Sequence, residues 1–255
     1  MTTTLCIDIG GTGLKAALVD LDGRMLSERI KIKTPYPCPP SRLVERLQDL
    51  TRDLSGYDRV SVGFPGLVRG GVVGNVPSLS RATYDGDADP KLVDAWHGFD
   101  LQSALADAFG KPLRVANDAD VQGSAVIEGA GFEFVMTLGT GVGTAIFQEG
   151  TLLPHLELSH ALFRTDIDFD AAIGNAARKR IGNARWRDRV LRAIEIFDDF
   201  LFFDRCHIGG GNAARLGDLE LPPKCRIVSN TAGLLGGVRL WDHASPEPDA
   251  RTPRG

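Results

Sequence analysis

The chain has little cysteine and no long apolar run. Its four cysteines, Cys6, Cys38, Cys206 and Cys225, are scattered over 255 residues without a C-x-x-C pair. This spacing excludes a disulfide framework and a zinc knuckle as the basis of the fold. No basic leader precedes an apolar core, and no apolar run is long enough to span a bilayer, so we expect a protein of the reducing cytoplasm.

The sequence also lacks a strong excess of charge of either sign. The formal net charge is −4, from 29 Lys and Arg against 33 Asp and Glu, so composition does not indicate a nucleic-acid or anionic-membrane partner. Hydrophobic residues make up 43% and charged residues 24%, as in ordinary globular proteins. At this length the chain can bury a core as one large domain or two small ones.

What the sequence does contain is glycine, 30 residues in all. Residues 5–20 predict an apolar strand, a tight turn at Gly10-Gly11-Thr12-Gly13 and a returning antiparallel strand. Glycine turns bring backbone amides close to an anion, Thr12 adds a hydroxyl, and Lys15 adds a positive charge. Asp8 ends the first strand, where a carboxylate could hold magnesium. A plain β-hairpin explains this stretch about equally well.

A second glycine-rich hairpin is predicted further along the chain. Residues 134–138 and 143–147 are apolar strands joined by Gly139-Thr140-Gly141-Val142. Two such hairpins in one chain suggest an internal duplication that grips a phosphate from two sides. Two unrelated turns are the less favoured interpretation.

The remaining pattern predicts a mixed α/β chain that does not alternate strand and helix as a Rossmann unit does. We expect a third strand over residues 25–33, and a helix capped by Ser41 after a proline-rich loop. Residues 69–98 predict a long loop. A helix over residues 119–129 would place Asp118 at its N-terminus, where an aspartate is often only a cap. The prolines and charges after residue 243 predict a disordered tail.

Five motifs occur in the order and spacing of the ROK family of sugar kinases, which the chain resembles over residues 5–238. They are Asp8-Ile9-Gly10-Gly11-Thr12, Gly63-Phe64-Pro65-Gly66, Asn117-Asp118-Ala119-Asp120, Leu138-Gly139-Thr140-Gly141-Val142-Gly143 and Ile208-Gly209-Gly210-Gly211. Within the family the chain looks most like the polyphosphate and polyphosphate/ATP glucokinases. The features that indicate this subgroup are its short length, Gly13-Leu14-Lys15, Gly150-Thr151-Leu152-Leu153-Pro154 and Asn230-Thr231-Ala232-Gly233-Leu234-Leu235-Gly236.

The resemblance implies an α/β, two-lobed actin-like ATPase (ribonuclease H-like) fold, with duplicated mixed sheets and a cleft between the lobes. The expected lobes are residues 1–116 and 117–242, with the last helix packing back on the first lobe and a tail at 243–255. The implied activity is phosphoryl transfer from polyphosphate or ATP to the primary hydroxyl of glucose or a related hexose. A non-catalytic sugar-binding or regulatory protein of the same family is the alternative.

The resemblance also implies roles for individual residues. Asp118 would be the general base, in line with the need to accept the hydroxyl proton as the O–P bond forms. The implied sugar-binding residues are Gly66, Asn75, Asn117, Asp118, Glu157 and His160. The implied phosphate- or nucleotide-binding residues are Asp8, Gly10, Gly11, Thr12, Lys15, Gly139, Thr140, Gly141, Gly143, Gly209, Gly210 and Gly211. Mg²⁺ would accompany the donor, oriented by Asp8, and no zinc site is expected.

The chain departs from the family pattern around the predicted sugar site. Ser159 stands where the family usually has glycine before His160, and no second glutamate follows. Either Asp166, Asp168 or Asp170 substitutes for that glutamate, or one sugar hydroxyl has no contact, and the choice of hexose is left open. His160 could also be a packed core histidine, since neutral histidines are often buried.

A basic segment bears on the choice of donor. Its members are Arg178, Lys179, Arg180, Arg185, Arg187, Arg189 and Arg192. These charges could guide a polyanion such as polyphosphate, or they could form a solvated helix face. The expected partners are a sugar and a phosphoryl donor, with no nucleic acid and no membrane. Dimerisation is common in the family, so the chain could form a homodimer, but nothing in the sequence marks an interface and the oligomeric state is left open.

Overall fold

The computed structural model describes residues 2–228 and 232–242, and for residues 232–234 the backbone alone. The strands are β1 (Thr4–Ile9), β2 (Leu14–Val19), β3 (Ile30–Ile32), β4 (Arg59–Phe64), β5 (Leu67–Arg69), β6 (Val72–Asn75), β7 (Leu113–Asn117), β8 (Phe132–Leu138), β9 (Val142–Gln148), β10 (Thr151–Leu152), β11 (Leu162–Arg164), β12 (Ile167–Asp168), β13 (Arg205–Gly209) and β14 (Cys225–Ile227). The helices are α1 (Pro40–Thr51), α2 (Pro90–Trp96), α3 (Leu101–Phe109), α4 (Asp118–Ser124), α5 (Phe169–Ile173), α6 (Asn175–Ile181), α7 (Asn183–Leu201) and α8 (Ala232–Arg239). The predicted tail and residues 229–231 lie outside the described residues.

Two five-stranded mixed sheets share one topology. The first has the order β3-β2-β1-β4-β7, and the second has the order β10-β9-β8-β13-β14. In the first sheet β3, β2 and β1 pair antiparallel, β4 pairs parallel with β1, and β7 pairs parallel with β4. In the second sheet β10, β9 and β8 pair antiparallel, β13 pairs parallel with β8, and β14 pairs parallel with β13. This repetition supports the predicted internal duplication. The central strands are almost continuously apolar because both of their faces are buried.

The chain divides into two compact units. Unit 1 comprises the chain up to Asn117 together with the described residues from Gly237 onward, and unit 2 is Asp118–Gly236. In unit 1 the end of α8 packs closely on the first sheet, since Ser61 Oγ donates to the Gly237 carbonyl at 2.6 Å. Trp241 Nε1 donates to Ser61 Oγ at 2.8 Å.

Unit 2 has a core rich in aromatic rings. Phe197 of α7 stacks on Phe169 of α5 at 4.2 Å between ring centroids and contacts Phe134 of β8 at 4.9 Å. Trp186 is fully buried, and its indole nitrogen donates to the Ile173 carbonyl at 2.7 Å. These contacts fix α5 against the sheet, and α5 carries an acidic residue of the candidate site.

Several local predictions were wrong. The third strand covers only Ile30–Ile32, and α1 begins at Pro40 without a side-chain cap, so Ser41 is not its N-cap. Residues 69–98 are not one loop, because β6 and α2 lie within them and Asp89 caps α2 by accepting from the amide of Lys91. The helix after Asp118 ends at Ser124 and does not continue to residue 129.

Candidate active site

The turn between β1 and β2 is held so that two of its amides are presented outward. Gly10 and Gly13 exchange backbone hydrogen bonds of 3.0 and 3.3 Å across the turn. The Thr34 hydroxyl donates to the Gly10 carbonyl at 2.5 Å, and the Tyr36 hydroxyl lies 2.8 Å from the Gly11 carbonyl. A trans peptide points its N–H opposite to its C=O. The amides of Gly11 and Thr12 therefore point away from these two side chains.

Asp8 and Lys15 form an ion pair beside this turn. They are directly opposite each other in the β1–β2 ladder, and Lys15 Nζ lies 2.6 Å from Asp8 Oδ2. Both side chains are 32% exposed. The structure thus pairs Lys15, which was predicted to bind phosphate, with Asp8, the predicted magnesium ligand. Lys15 is held at the base of the turn instead of extending freely into solvent.

Three of the predicted sugar-binding residues meet in unit 1. Gly66 packs against the backbone of Asn75, leaving no room for a side chain at position 66. The side-chain amide of Asn117, at the end of β7, donates to the Gly66 carbonyl at 3.0 Å. The turn after β4, the end of β6 and the end of β7 are therefore tied together at one place.

Asp118 begins α4 and lies next to the second glycine hairpin in unit 2. The contact is made by its neighbour Ala119, which is fully buried. A Cβ atom placed on Gly143 would lie only 2.8 Å from the Ala119 Cβ. The missing side chain at Gly143 lets the start of α4 approach β9, and this approach sets the position of Asp118.

The second hairpin turn is one residue shorter than the first, but two of its successive carbonyls are likewise hydrogen-bonded, one of them by the backbone amide of Asn175. The Gly139 carbonyl accepts from Asn212 Nδ2 at 2.9 Å, and the Thr140 carbonyl accepts from the Asn175 amide at 3.1 Å. By the same peptide geometry, the amides of Thr140 and Gly141 point away from these partners. Thr12 and Thr140 are both exposed.

The predicted nucleotide-side turn lies against this second hairpin. Asn212, which follows Gly209-Gly210-Gly211, also donates its backbone amide to the Leu138 carbonyl at 2.8 Å. Gly210 has φ 86°, and a Cβ there would lie 2.5 Å from that same carbonyl oxygen. Only glycine fits this backbone position. The structure therefore joins the second and third glycine turns within unit 2.

Asp170 supports the second hairpin from α5. Its Oδ1 accepts from the Val142 amide at 2.6 Å, and its carboxylate leaves no space for a side chain on Gly141. Burial raises the pKa of Asp170, while the Val142 hydrogen bond and the nearby charge of His160 act in the opposite direction. Of the three aspartates considered as replacements for a second glutamate, Asp168 instead caps α5. Asp170 is the one that lies in the site.

Glu157 and His160 flank a short 3₁₀ helix, Leu158–His160. His160 is exposed, so its interpretation as a packed core histidine is wrong. Its charge favours the ionised form of both Glu157 and Asp170, although burial keeps the pKa of Asp170 raised. The two acids and His160 thus lie close enough to interact electrostatically, and the sugar-binding roles of Glu157 and His160 stay predictions.

Sequence reasoning missed His155, which is the buried histidine of this region. Its Nδ1 lies 2.9 Å from Asp120 Oδ1, and its Nε2 lies 3.5 Å from Glu157 Oε1. Asp120 was visible as the last residue of the Asn117–Asp120 motif, but nothing in the sequence paired it with a histidine 35 positions away.

Residues 2–228 and 232–242 contain no group of three or more His, Cys, Asp and Glu side chains that could hold a metal ion. Within the same residues, no helix combines the length and the apolar character needed to cross a bilayer.

Comparison with known proteins decides the family. The model of the ROK family matches residues 4–154. The chain belongs to the ROK family. It is 28% identical over 248 residues to the polyphosphate glucokinase of Mycobacterium tuberculosis, covering 91% of this chain and 88% of that protein.

Solved structures of ROK proteins confirm the fold. The inorganic polyphosphate/ATP-glucomannokinase from Arthrobacter sp. strain KM matches with a TM-score of 0.77 and 28% identity, covering 95% of this chain and all of that one. A ROK family glucokinase from Streptomyces griseus, solved with glucose and AMPPNP, matches with a TM-score of 0.71 at 18% identity, over 93% and 98% of the two chains. This ROK chain therefore has the actin-like ATPase fold with duplicated mixed sheets, as predicted.

Proposed function

We propose that this ROK chain transfers a phosphoryl group from polyphosphate or ATP to the primary hydroxyl of glucose or a related hexose, with Asp118 as general base. At the coarser level the chain is a sugar phosphotransferase, as its polyphosphate glucokinase and glucomannokinase relatives indicate. The observation that carries the finer proposal is the construction of two glycine turns by the same device, with Asp118 beside one of them.

The chemistry of phosphoryl transfer fits this construction. The reaction depends on positioning and on neutralising charge on the phosphoryl oxygens. The carbonyls of the two glycine turns are already hydrogen-bonded, which holds the amides on the opposite side of the same peptides in place. These amides are fixed dipoles that need no rearrangement during the reaction. The carboxylate of Asp118 would take the proton of the attacking hydroxyl. Glu157 and His160 of unit 2 would bind other hydroxyls of the sugar, and the sugar-binding roles of Gly66, Asn75 and Asn117 in unit 1 stay predictions.

Magnesium is expected with either donor. A single protein carboxylate combined with phosphate oxygens is a usual environment for Mg²⁺, and the partly exposed carboxylate of Asp8 fits that donor set. Asp8 would hold the ion, directly or through water, while Lys15 keeps the carboxylate in place. The ion would supply charge neutralisation on the donor oxygens.

Part of the basic segment supports polyphosphate as a donor. Arg189 of α7 lies near Arg164 of β11 and Arg180 of α6, and together with burial these two positive charges lower its pKa. Among the described residues no carboxylate lies within 4.0 Å of any of the three guanidinium groups. Three arginines without an acidic partner form a site of positive potential that favours a polyanion. Arg189 is also anchored to the fold, since its Nη1 donates to the Ala172 carbonyl at 3.2 Å. Arg187, by contrast, has an acidic partner, because its Nη1 lies 3.7 Å from Asp218 Oδ1.

A coupled assay tests the proposal, with glucose, mannose, fructose and N-acetylglucosamine each combined with ATP and with polyphosphate. Turnover of glucose or a near relative with at least one donor is expected, and no turnover with any pair would overturn the function.

A triple variant tests the donor site. Replacing Arg164, Arg180 and Arg189 by Gln should raise the KM for polyphosphate by about tenfold or more at low salt and leave the KM for ATP nearly unchanged. The matched control removes the same charge from three arginines already paired with aspartates, Arg24, Arg46 and Arg52. Equal polyphosphate KM values in both triple variants would refute the donor site.

A further inference from the structure

His155 joins two carboxylates inside unit 2. Its side chain is 3% exposed and that of Asp120 is 4% exposed, while Glu157 is 33% exposed. Asp120 belongs to α4, two residues after Asp118, and Glu157 immediately precedes the 3₁₀ helix that ends at His160. One imidazole thus connects the helix that begins with the predicted base to the loop that carries the predicted sugar ligands.

The charges around the imidazole favour its doubly protonated form. Burial alone would lower the pKa of His155, but hydrogen bonding and charge interactions with Asp120 and Glu157 raise it to about 10. As an imidazolium, the ring carries a proton on each nitrogen, so it can donate to both acids at once. The same contact is the main cause that lowers the pKa of Glu157.

We propose that His155 is a positioning residue for the acceptor sugar, which fixes Glu157 by one carboxylate oxygen and anchors it to Asp120 on α4. The inference rests on the proposed function and adds a residue to it. Oε1 of Glu157 is the oxygen that lies 3.5 Å from His155 Nε2, a charge contact that leaves the carboxylate able to accept a hydrogen bond from a sugar hydroxyl. An ionised carboxylate held in this way is an acceptor only, so it selects a hydroxyl at that position of the sugar.

Four groups govern the ionisation of Glu157. His155 and His160 favour the charged form of Glu157. Burial of Glu157 and the nearby carboxylate of Asp170 oppose that form. Asp120 acts on Glu157 indirectly, because it favours the charged form of His155. Loss of the contact with His155 should therefore raise the pKa of Glu157. The acid limb of kcat/KM for the sugar would then move to higher pH.

Two nearly isosteric variants separate the two contacts. In His155→Asn the side-chain NH₂ replaces Nδ1 and keeps a donor toward Asp120, while the donor toward Glu157 is lost. In His155→Gln the NH₂ replaces Nε2 and keeps the donor toward Glu157. We expect His155→Asn to raise the KM for the sugar about tenfold, the effect of losing the 3.5 Å charge contact with Glu157, with a much smaller change in kcat and in the donor KM. His155→Gln should stay within about threefold of the wild-type sugar KM.

The measurements are steady-state kinetics across the acid range, together with thermal unfolding of both variants. A sugar KM that rises in His155→Asn alone, with its acid limb at higher pH, supports the inference. If both variants lose thermal stability while the sugar KM and the acid limb stay at wild-type values, His155 is only structural and the inference is wrong. A wild-type protein that phosphorylates no sugar would instead refute the proposed function.

Discussion

A single methyl group added at Gly143 should disturb catalysis more than it disturbs folding. The Cβ of alanine at this position would lie 2.8 Å from the Ala119 Cβ and 2.5 Å from Thr137 Oγ1. The Thr137 hydroxyl can rotate away, but Ala119 is fixed in α4 next to Asp118. Ordinary contact begins near 3.4 Å, so the start of α4 must shift by about 0.6 Å. A displacement of about 1 Å can reduce a rate by about 100-fold, and we therefore expect kcat of Gly143→Ala to fall roughly 10- to 100-fold.

The assay compares kcat and thermal unfolding of Gly143→Ala with those of a control of similar stability. Overpacking of this kind costs about 1–3 kcal/mol. Gly110→Ala is the control, since Gly110 has φ 60° and open space around it, and its left-handed conformation makes alanine unfavourable by about 1 kcal/mol. The control should keep wild-type kcat. If Gly143→Ala folds and also keeps wild-type kcat, the contact between Gly143 and Ala119 does not position the base.

Two further predictions concern stability. Glu133 is fully buried and accepts from the amides of Glu128 and Gly129 at 2.8 and 2.6 Å and from His207 at 2.6 Å. Burial lowers the pKa of His207, so the carboxylate accepts from a neutral ring. Glu133→Gln places an NH₂ group among these donors and should lower the free energy of unfolding in urea by about 1–3 kcal/mol; an unchanged value would contradict this network. The pKa of His155, raised from 6.5 to about 10, makes its contribution to stability complete below pH 6.5 and lost as the pH rises to about 10. The free energy of unfolding should therefore fall more between these pH values in the wild type than in His155→Gln, and equal falls would show that His155 is not the group responsible.

Local chemistry explains which parts of the fold could be predicted. Both glycine hairpins were found from the sequence because a glycine turn between two apolar runs specifies a tight reversal almost by itself. Helix α2 was missed although Asp89-Pro90 is a helix-start signal, because it lies among residues 69–98, whose composition is typical of loops. Leu92 and Trp96, four residues apart and both buried, show the periodicity that could have revealed it.

The site was predictable only where one short motif contains the whole arrangement. Asp118 could be placed at a helix start, but its closeness to Gly143 depends on how α4 packs against β9. The pairing of Asp8 with Lys15 follows from the register of the first hairpin; the sequence predicted the hairpin but neither its register nor the ion pair. The partners of His155 lie 35 residues upstream and two residues downstream, so only tertiary structure brings all three together.

The central claim is that Asp118 removes the proton of the sugar hydroxyl, and the Asp118→Asn variant tests it most directly. Turnover with the best donor and sugar should fall by about 10²–10⁴, while calorimetry should give a sugar Kd within a few-fold of the wild type, because asparagine keeps the shape of aspartate but cannot accept the proton. A variant that binds the sugar and turns over at the wild-type rate would contradict the account.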